Sequence, residues 1–195
     1  MENIVKEPAL KYNYISPEEY LEAERKATEK HELHNGIIIT MTGASLKHNA
    51  IVRNLIAAIA PFLKGKSCDV FSSDLRVNSP ASNSFTYPDL TIVCGEPELL
   101  DDQADTLLNP SVIIEVLSPS TENYDKGNKF FIYQQIPSLN EYILIRSTAA
   151  EVQIITKKDD DCWQFENIAD PQAYFTIKTI DQQILLKDVY YHVKF

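Results

Sequence analysis

The stretch Ser111-Val112-Ile113-Ile114-Glu115-Val116-Leu117-Ser118 decides how this chain is read. Its near-continuous run of Val, Ile and Leu is the pattern of a strand covered on both faces. Glu115 stands in the middle of that run. A carboxylate inside such a strand is costly unless it is paired or bound to a metal, so Glu115 demands a partner. Upstream, Tyr87-Pro88-Asp89 opens another strand-like run, Tyr87 to Cys94, and sets a second carboxylate at its start. Downstream, Ser118-Pro119-Ser120-Thr121 breaks the strand and opens a helix, about Glu122 to Gln135, which Pro137 ends. Asp125, Lys129 and Tyr133 are spaced i, i+4, i+8 in it and share one face. Two carboxylates on neighbouring strands suit a hard cation that prefers oxygen ligands, Mg²⁺ or Mn²⁺. With a lysine beside them they make a phosphoryl-transfer set: a metal to lower the pKa of a water, and an ammonium to orient it or to offset charge on the phosphate.

The rest of the chain frames this set. Ser16-Pro17-Glu18-Glu19 is a helix start with Ser as N-cap, Pro at the first position and Glu19 closing a capping box; the helix is expected to run to Thr28. His31 to Met41 reads as a hairpin turning at Asn35-Gly36, a type I′ signal. Ser45 to Leu63 carries apolar residues at helical spacing, with Pro61 near its end. Asp69 to Val77 alternates apolar and polar as one strand, and a turn-rich patch, Asn78 to Ser84, follows it. Glu141 to Arg146 is a further strand. Glu151 to Thr156 and Cys162 to Asn167 read as a hairpin whose tip is Asp159-Asp160-Asp161. A last strand, Tyr174 to Ile177, and a short helix, Leu186 to Tyr191, complete the chain. Helices and strands mix without strict alternation, so the fold class is α/β with a mixed sheet flanked by helices. No repeat or linker divides the 195 residues; a single domain is expected, with a core of about 14–146 and a β-rich tail over 147–195.

Composition bounds the function. With 44% hydrophobic and 24% charged residues the chain is ordinary for a folded domain, and its 5 glycines exclude a collagen-like one. Lys and Arg number 18 against 28 Asp and Glu, a formal net charge of −10, whereas proteins that live on phosphate backbones are usually basic. The acids concentrate away from the proposed set. Glu96, Glu98, Asp101, Asp102 and Asp105 form one loop, while Ala44 to Lys66 carries Lys47, Arg53, Lys64 and Lys66 and no acid. DNA, if bound, is therefore expected to meet a local basic lip with weak non-specific affinity. No run approaches the ~20 apolar residues that cross a bilayer. Met1 to Leu10 has no apolar leader segment. Cys68, Cys94 and Cys162 are odd in number and widely spaced, which argues against a disulfide framework and for a reduced, cytoplasmic protein.

Taken in order, Pro88-Asp89, Glu115-Val116-Leu117-Ser118-Pro119-Ser120-Thr121, Asp125-x-Gly127-x-Lys129-x-x-x-Tyr133 and Glu141-Tyr142 resemble the Uma-type restriction-endonuclease family of the PD-(D/E)XK nuclease superfamily. His31-Glu32-Leu33-His34-Asn35-Gly36, Met41-Thr42-Gly43-Ala44-Ser45 with His48, and Ser73-Asp74-Leu75-Arg76-Val77 extend the likeness over about residues 14 to 190. The resemblance implies a restriction endonuclease-like αβββαβ core, with Asp89 as the acid of PD and Glu115 as the acid of (D/E)XK. Where the superfamily pattern asks for Lys this chain has Leu117, on the same strand face as Glu115; the resemblance moves that role to Lys129. It also makes Asp74 a metal ligand beside Asp89 and Glu115, and Glu32 and His48 auxiliary residues with Asp125 and Tyr133.

Two functions follow, and the residues leave both open. One is a Mg²⁺- or Mn²⁺-dependent endonuclease acting on DNA phosphodiesters. The other is a non-catalytic binding or assembly module on the same fold, in which Glu115 and Lys129 form a buried ion pair without metal. Edge strands of the β-rich tail are expected to pair two copies into a homodimer.

Overall fold

The computed structural model describes residues 14–158 and 162–195. Met1 to Leu10 and the Asp159–Asp161 tip lie outside them. Among the described residues no helix is long and apolar enough to cross a membrane.

Helix α1 (Pro17–Glu24) begins with the capping box read from sequence: the Ser16 hydroxyl accepts from the Glu19 N–H and the Glu19 carboxylate accepts from the Ser16 N–H. It stops at Glu24, short of Thr28, because Glu24 turns inward and accepts hydrogen bonds from His31 and Tyr87. Strands β1 (His31–His34) and β2 (Ile37–Thr40) form the hairpin. Asn35 and Gly36 both have positive φ, as a type I′ turn requires. Helix α2 (Leu46–Leu63) is capped by Ser45 and buries Ile51, Leu55, Ile59 and Leu63, one residue per turn of a single face.

The expected strand Asp69–Val77 is two strands. β3 (Cys68–Ser72) pairs with β6 (Leu90–Cys94), whereas β4 (Arg76–Ser79) crosses to another sheet beside β5 (Ser84–Thr86). The residues between them let the chain leave one sheet for the other without breaking the alternation, so the pattern carried no mark of the switch. The acidic loop contains a short strand, β7 (Thr106–Leu107), parallel to β4. Next come β8 (Val112–Leu117), then α3 (Glu122–Tyr124), a π-helical turn (Asp125–Lys129) and α4 (Phe130–Tyr133) in place of one regular helix. After β9 (Glu141–Arg146) follow the hairpin β10 (Val152–Lys157) and β11 (Trp163–Ile168), then β12 (Tyr174–Ile177), β13 (Gln182–Leu185) and α5 (Leu186–Val189). β13 was not expected from the sequence; it pairs antiparallel with β12.

Two larger sheets result. One has the order β2-β1-β5-β4-β7, the other β11-β10-β9-β8-β6-β3. In the second, β3, β6 and β8 run antiparallel and β9 joins β8 in parallel through the helical crossover. This is the expected mixed sheet and αβββαβ order. Its two faces are covered differently. Val112, Ile114 and Val116 of β8 face a core built with α2, β12, β13 and α5. Ile113 and Leu117 face a second core built with Ile132, Tyr133, Ile136 and Tyr142. Alternation puts Glu115 in that second row.

The cysteines depart from the sequence reading. The β3–β6 register sets Cys68 opposite Cys94, and the two form a disulfide; Cys162 is free and exposed. Only the register brings the pair together, across 26 residues of sequence, which spacing alone does not reveal.

Candidate active site

Glu115 is 4% exposed in the apolar row of β8, and three donors answer its demand for partners. Lys129 donates to Glu115 Oε1 at 2.9 Å and Tyr133 donates to the same oxygen at 3.0 Å. The Asp89 N–H reaches Oε2 at a long 3.4 Å. Asp89, just before β6, lies beside it: Asp89 Oδ2 accepts the Val116 N–H at 2.7 Å and meets His48 Nε2 at 3.0 Å. The Ser45 cap at the start of α2 fixes the turn that presents His48, whose Nδ1 is buried and has no hydrogen-bond partner among the described residues. Each carboxylate therefore has one oxygen tied to the protein and one that is weakly engaged or unpartnered among the described residues.

A third carboxylate comes from the other sheet. Glu32 of β1 lies 3.1 Å from Lys129 Nζ, accepts the Tyr87 N–H at 3.0 Å, and meets His34 Nε2 at 3.0 Å. Glu32 and His34 are two apart on one strand face, and the Tyr124 hydroxyl bonds to the His34 ring from α3. Lys129 thus spans the two sheets, with Asp125 one turn away at 3.8 Å. The π-helical turn that begins at Asp125 and ends at Lys129 holds both side chains at this junction; such turns concentrate at functional sites. Glu32, His48, Asp89, Glu115, Tyr124, Asp125 and Lys129 line a cleft of about 790 Å³, together with Thr42, Asn49, Ser118 and Thr121.

The electrostatics are uneven. Burial pushes the Glu115 carboxyl up to about 8; Lys129 opposes that rise, and the neighbouring Asp89 adds to it. Burial works the same way on Glu32, but Lys129, His34 and the Tyr87 N–H outweigh it and hold that carboxyl down at about 2. Burial raises Asp125 against the pull of Lys129. Burial by itself would lower Lys129, but Glu115 and Glu32 lift it well above its ordinary value. The cluster thus contains a firmly charged lysine, a firmly charged Glu32 and a Glu115 whose charge burial resists.

Of the residues singled out from sequence, Asp89, Glu115, Lys129, Glu32, His48 and Asp125 line this cleft, and Tyr133, fully buried behind it, reaches the set through its bond to Glu115. Asp74 does not. Its side chain is 86% exposed and pairs with Lys30 at the rim. Among the described residues no three His, Cys, Asp or Glu side chains stand together as a metal cage. Sequence reasoning missed a second buried network behind the cleft. Arg76 donates to Thr106 and Tyr87 and pairs with Asp105, while Tyr87 donates to Glu24 at 3.0 Å. The signal for it was weak: an Arg in a strand that otherwise alternates normally.

The model of the Uma2 family, described as "Putative restriction endonuclease", matches residues 17–184. This chain is a member of the Uma2 family. Among its relatives are two proteins of Synechocystis sp., slr1290 and sll1609, both described as uncharacterized. The first is 37% identical over 164 residues, covering 84% of this chain and 85% of the relative. The second is 38% identical over 149 residues, covering 76% and 84%. A crystal structure from Anabaena variabilis, titled a "putative nuclease belonging to DUF820", superposes with a TM-score of 0.75 at 20% identity, covering 92% of this Uma2 protein and 99% of that chain. That likeness carries the fold. The family match spans every residue of the cleft set, from Glu32 to Tyr133.

Proposed function

We propose that this Uma2 protein is a metal-dependent endonuclease that hydrolyses DNA phosphodiester bonds in the cleft between its two sheets. One observation carries the reading: Asp89 and Glu115 lie side by side on neighbouring strands, Asp89 with only Oδ2 engaged among the described residues and Glu115 with Oε2 held only by the long Asp89 N–H bond, beside an ammonium already bonded to Glu115. The donor chemistry fits Mg²⁺ or Mn²⁺, since two hard carboxylates leave the remaining positions to water and substrate, as Mg²⁺ prefers. Bound there, such a cation supplies Lewis acidity and a more acidic water. The protein does the rest. His48 and the Val116 N–H orient Asp89, and Tyr133 fixes Glu115. Lys129, anchored by Glu32 and Glu115, turns its remaining N–H toward the cleft to position the nucleophile or to offset charge on the phosphate. The overall charge of −10 makes non-specific DNA affinity weak.

The test is cleavage of DNA with Mn²⁺ or Mg²⁺ by the wild type and by Asp89→Ala, Glu115→Ala and Lys129→Ala. The first two are expected at background and Lys129→Ala roughly 10²–10³-fold down. Activity that survives all three substitutions sinks the proposal.

The saturation of Glu115 Oε1 by Lys129 and Tyr133 favours a second reading, a buried ionic network in a binding module. Calorimetric titration with Mn²⁺ separates the two: a well-folded protein that takes up no metal is the binding module.

A further inference from the structure

Among the described residues the hairpin strand β2 is an open edge of the five-stranded sheet, and no charged side chain stands on it. Its register with β1 pairs His34 with Ile37 and Glu32 with Ile39, and Met41 continues the ladder to the Lys30 carbonyl at 3.0 Å. Across the two-residue turn those are the hydrogen-bonded positions. The N–H and C=O groups of Ile38 and Thr40 therefore point outward, away from β1. Ile37, Ile38 and Ile39 are each more than a third exposed, and Leu46, just past the strand, is 87% exposed. Proteins usually blunt such edges with charge. The other long sheet does so, with Asp69 on β3 and Glu166 on β11. Residues 37–45, Ile-Ile-Ile-Thr-Met-Thr-Gly-Ala-Ser, carry no charged side chain.

We propose that β2 is a self-association edge, on which a second copy of this chain pairs antiparallel through its own β2. Charge and symmetry select that occupant. Two copies of a chain at −10 repel over most of their surface, and this is a continuous apolar stretch where they meet without opposed charges. An antiparallel edge is also self-complementary under a two-fold axis. Centred on Ile39, the pairing sets Ile38 against Thr40 of the partner subunit and closes every outward N–H and C=O of the strand. Ile39 faces Ile39 of the partner subunit at a non-hydrogen-bonded site, where Cα atoms approach to about 4.5 Å. The axis stands perpendicular to the joined sheet, so both clefts open on one face of it, and each is lined near the axis by Ile39, Thr40 and Met41. The edge chosen is thus in the N-terminal hairpin rather than in the β-rich tail. The inference is independent of the catalytic reading.

Light scattering on the full chain across a dilution series is expected to give twice the chain mass. Ile39→Lys, which sets two ammonium groups face to face, is expected to halve it. Ile39→Cys is expected to cross-link into a covalent dimer under mild oxidation, because the facing Cα atoms are within disulfide reach; Cys162→Ser in the same protein removes the other free thiol. Ile38 and Thr40 amides are expected to be protected from exchange in the dimer. A monomeric wild type, a dimer that Ile39→Lys leaves intact, or a folded Ile39→Cys dimer that does not cross-link each overturns the proposal. Protected Ile38 and Thr40 amides in a monomer overturn it too and assign the edge to residues 1–13, which join the described chain at Tyr14 beside Gly36.

Discussion

Two ionic networks lie on either side of Tyr87, one reaching the surface at Arg25 and one buried at Lys129, and they are built on opposite principles. In the rear network Arg25 and Arg76 pair with Asp105, and the Tyr87 hydroxyl links Arg76 to Glu24. Hydrogen bonds from Arg25 and Arg76 hold the Asp105 carboxyl far below its ordinary range, and Asp105 and Tyr87 raise Arg76 despite its burial. Each of those shifts favours the charged form. In the cleft network Lys129 and Glu32 follow the same rule, but Glu115 and Asp125 are driven the other way. Structural networks complete their charges; this cleft keeps a carboxylate surplus that a cation would relieve. The Tyr87 backbone N–H serves Glu32 and its hydroxyl serves Glu24 and Arg76, so one residue bounds both.

That contrast can be broken most severely at Arg76. Arg76→Met removes the buried cation that pairs with Asp105 and donates to Tyr87 and Thr106, leaving Asp105 paired with Arg25, and the loss of unfolding free energy in urea is expected at about 3 kcal/mol. If Arg76→Met melts like the wild type, the rear network is not structural. Next in size is His48→Ala, which removes the side chain that orients Asp89; Mn²⁺ affinity by calorimetry is expected to fall roughly 10–100-fold with the melting temperature nearly unchanged. The smallest and most diagnostic effect is at Glu115, measured with a chelator present. Burial pushes the folded carboxyl up to about 8 from an ordinary value of 4.5. Between those values the folded chain holds a proton that the unfolded chain has lost, so wild-type stability declines as pH rises through this window. Glu115→Gln removes that decline. It is expected to melt as high as the wild type at pH 4 and a few degrees higher at pH 8. An Asp105→Asn control is expected to melt below the wild type at both pH 4 and pH 8, because a depressed carboxyl contributes its stability throughout the range above its unfolded value and loses it only at more acid pH. A Glu115→Gln protein that loses stability across the whole range would place Glu115 with the structural network.

Much of this architecture was legible because local chemistry and global fold agreed. Ser16 with Glu19, Asn35 with Gly36, and the apolar run around Glu115 each force one conformation through hydrogen bonds or burial within a few residues. The coincidence of Asp89, Glu115 and Lys129 in one cleft follows from strand order and one helical crossover. What escaped was set by partners far along the chain. Nothing near Ser72 to Arg76 announces that β3 and β4 belong to different sheets. Cys68 and Cys94 meet only through a register. Asp74 reads like any other acid beside a strand until its exposure separates it from the cleft. The π-helical turn was invisible as well, since the spacing of Asp125, Lys129 and Tyr133 suits an ordinary helix equally.

The far end of the chain has a bearing on synthesis. Glu141, at the start of β9 and fully buried, accepts hydrogen bonds from the Lys178 and Thr179 N–H groups and from the Thr179 hydroxyl. Phe175, Ile177, Ile184, Leu186 and Val189 close the core that covers one face of β8. A chain growing from the ribosome therefore exposes that face, and leaves the Glu141 carboxylate without its donors, until roughly its last turn of helix has emerged. The core over that face closes only once the residues through α5 have been made, so a chain halted at β9 still exposes it.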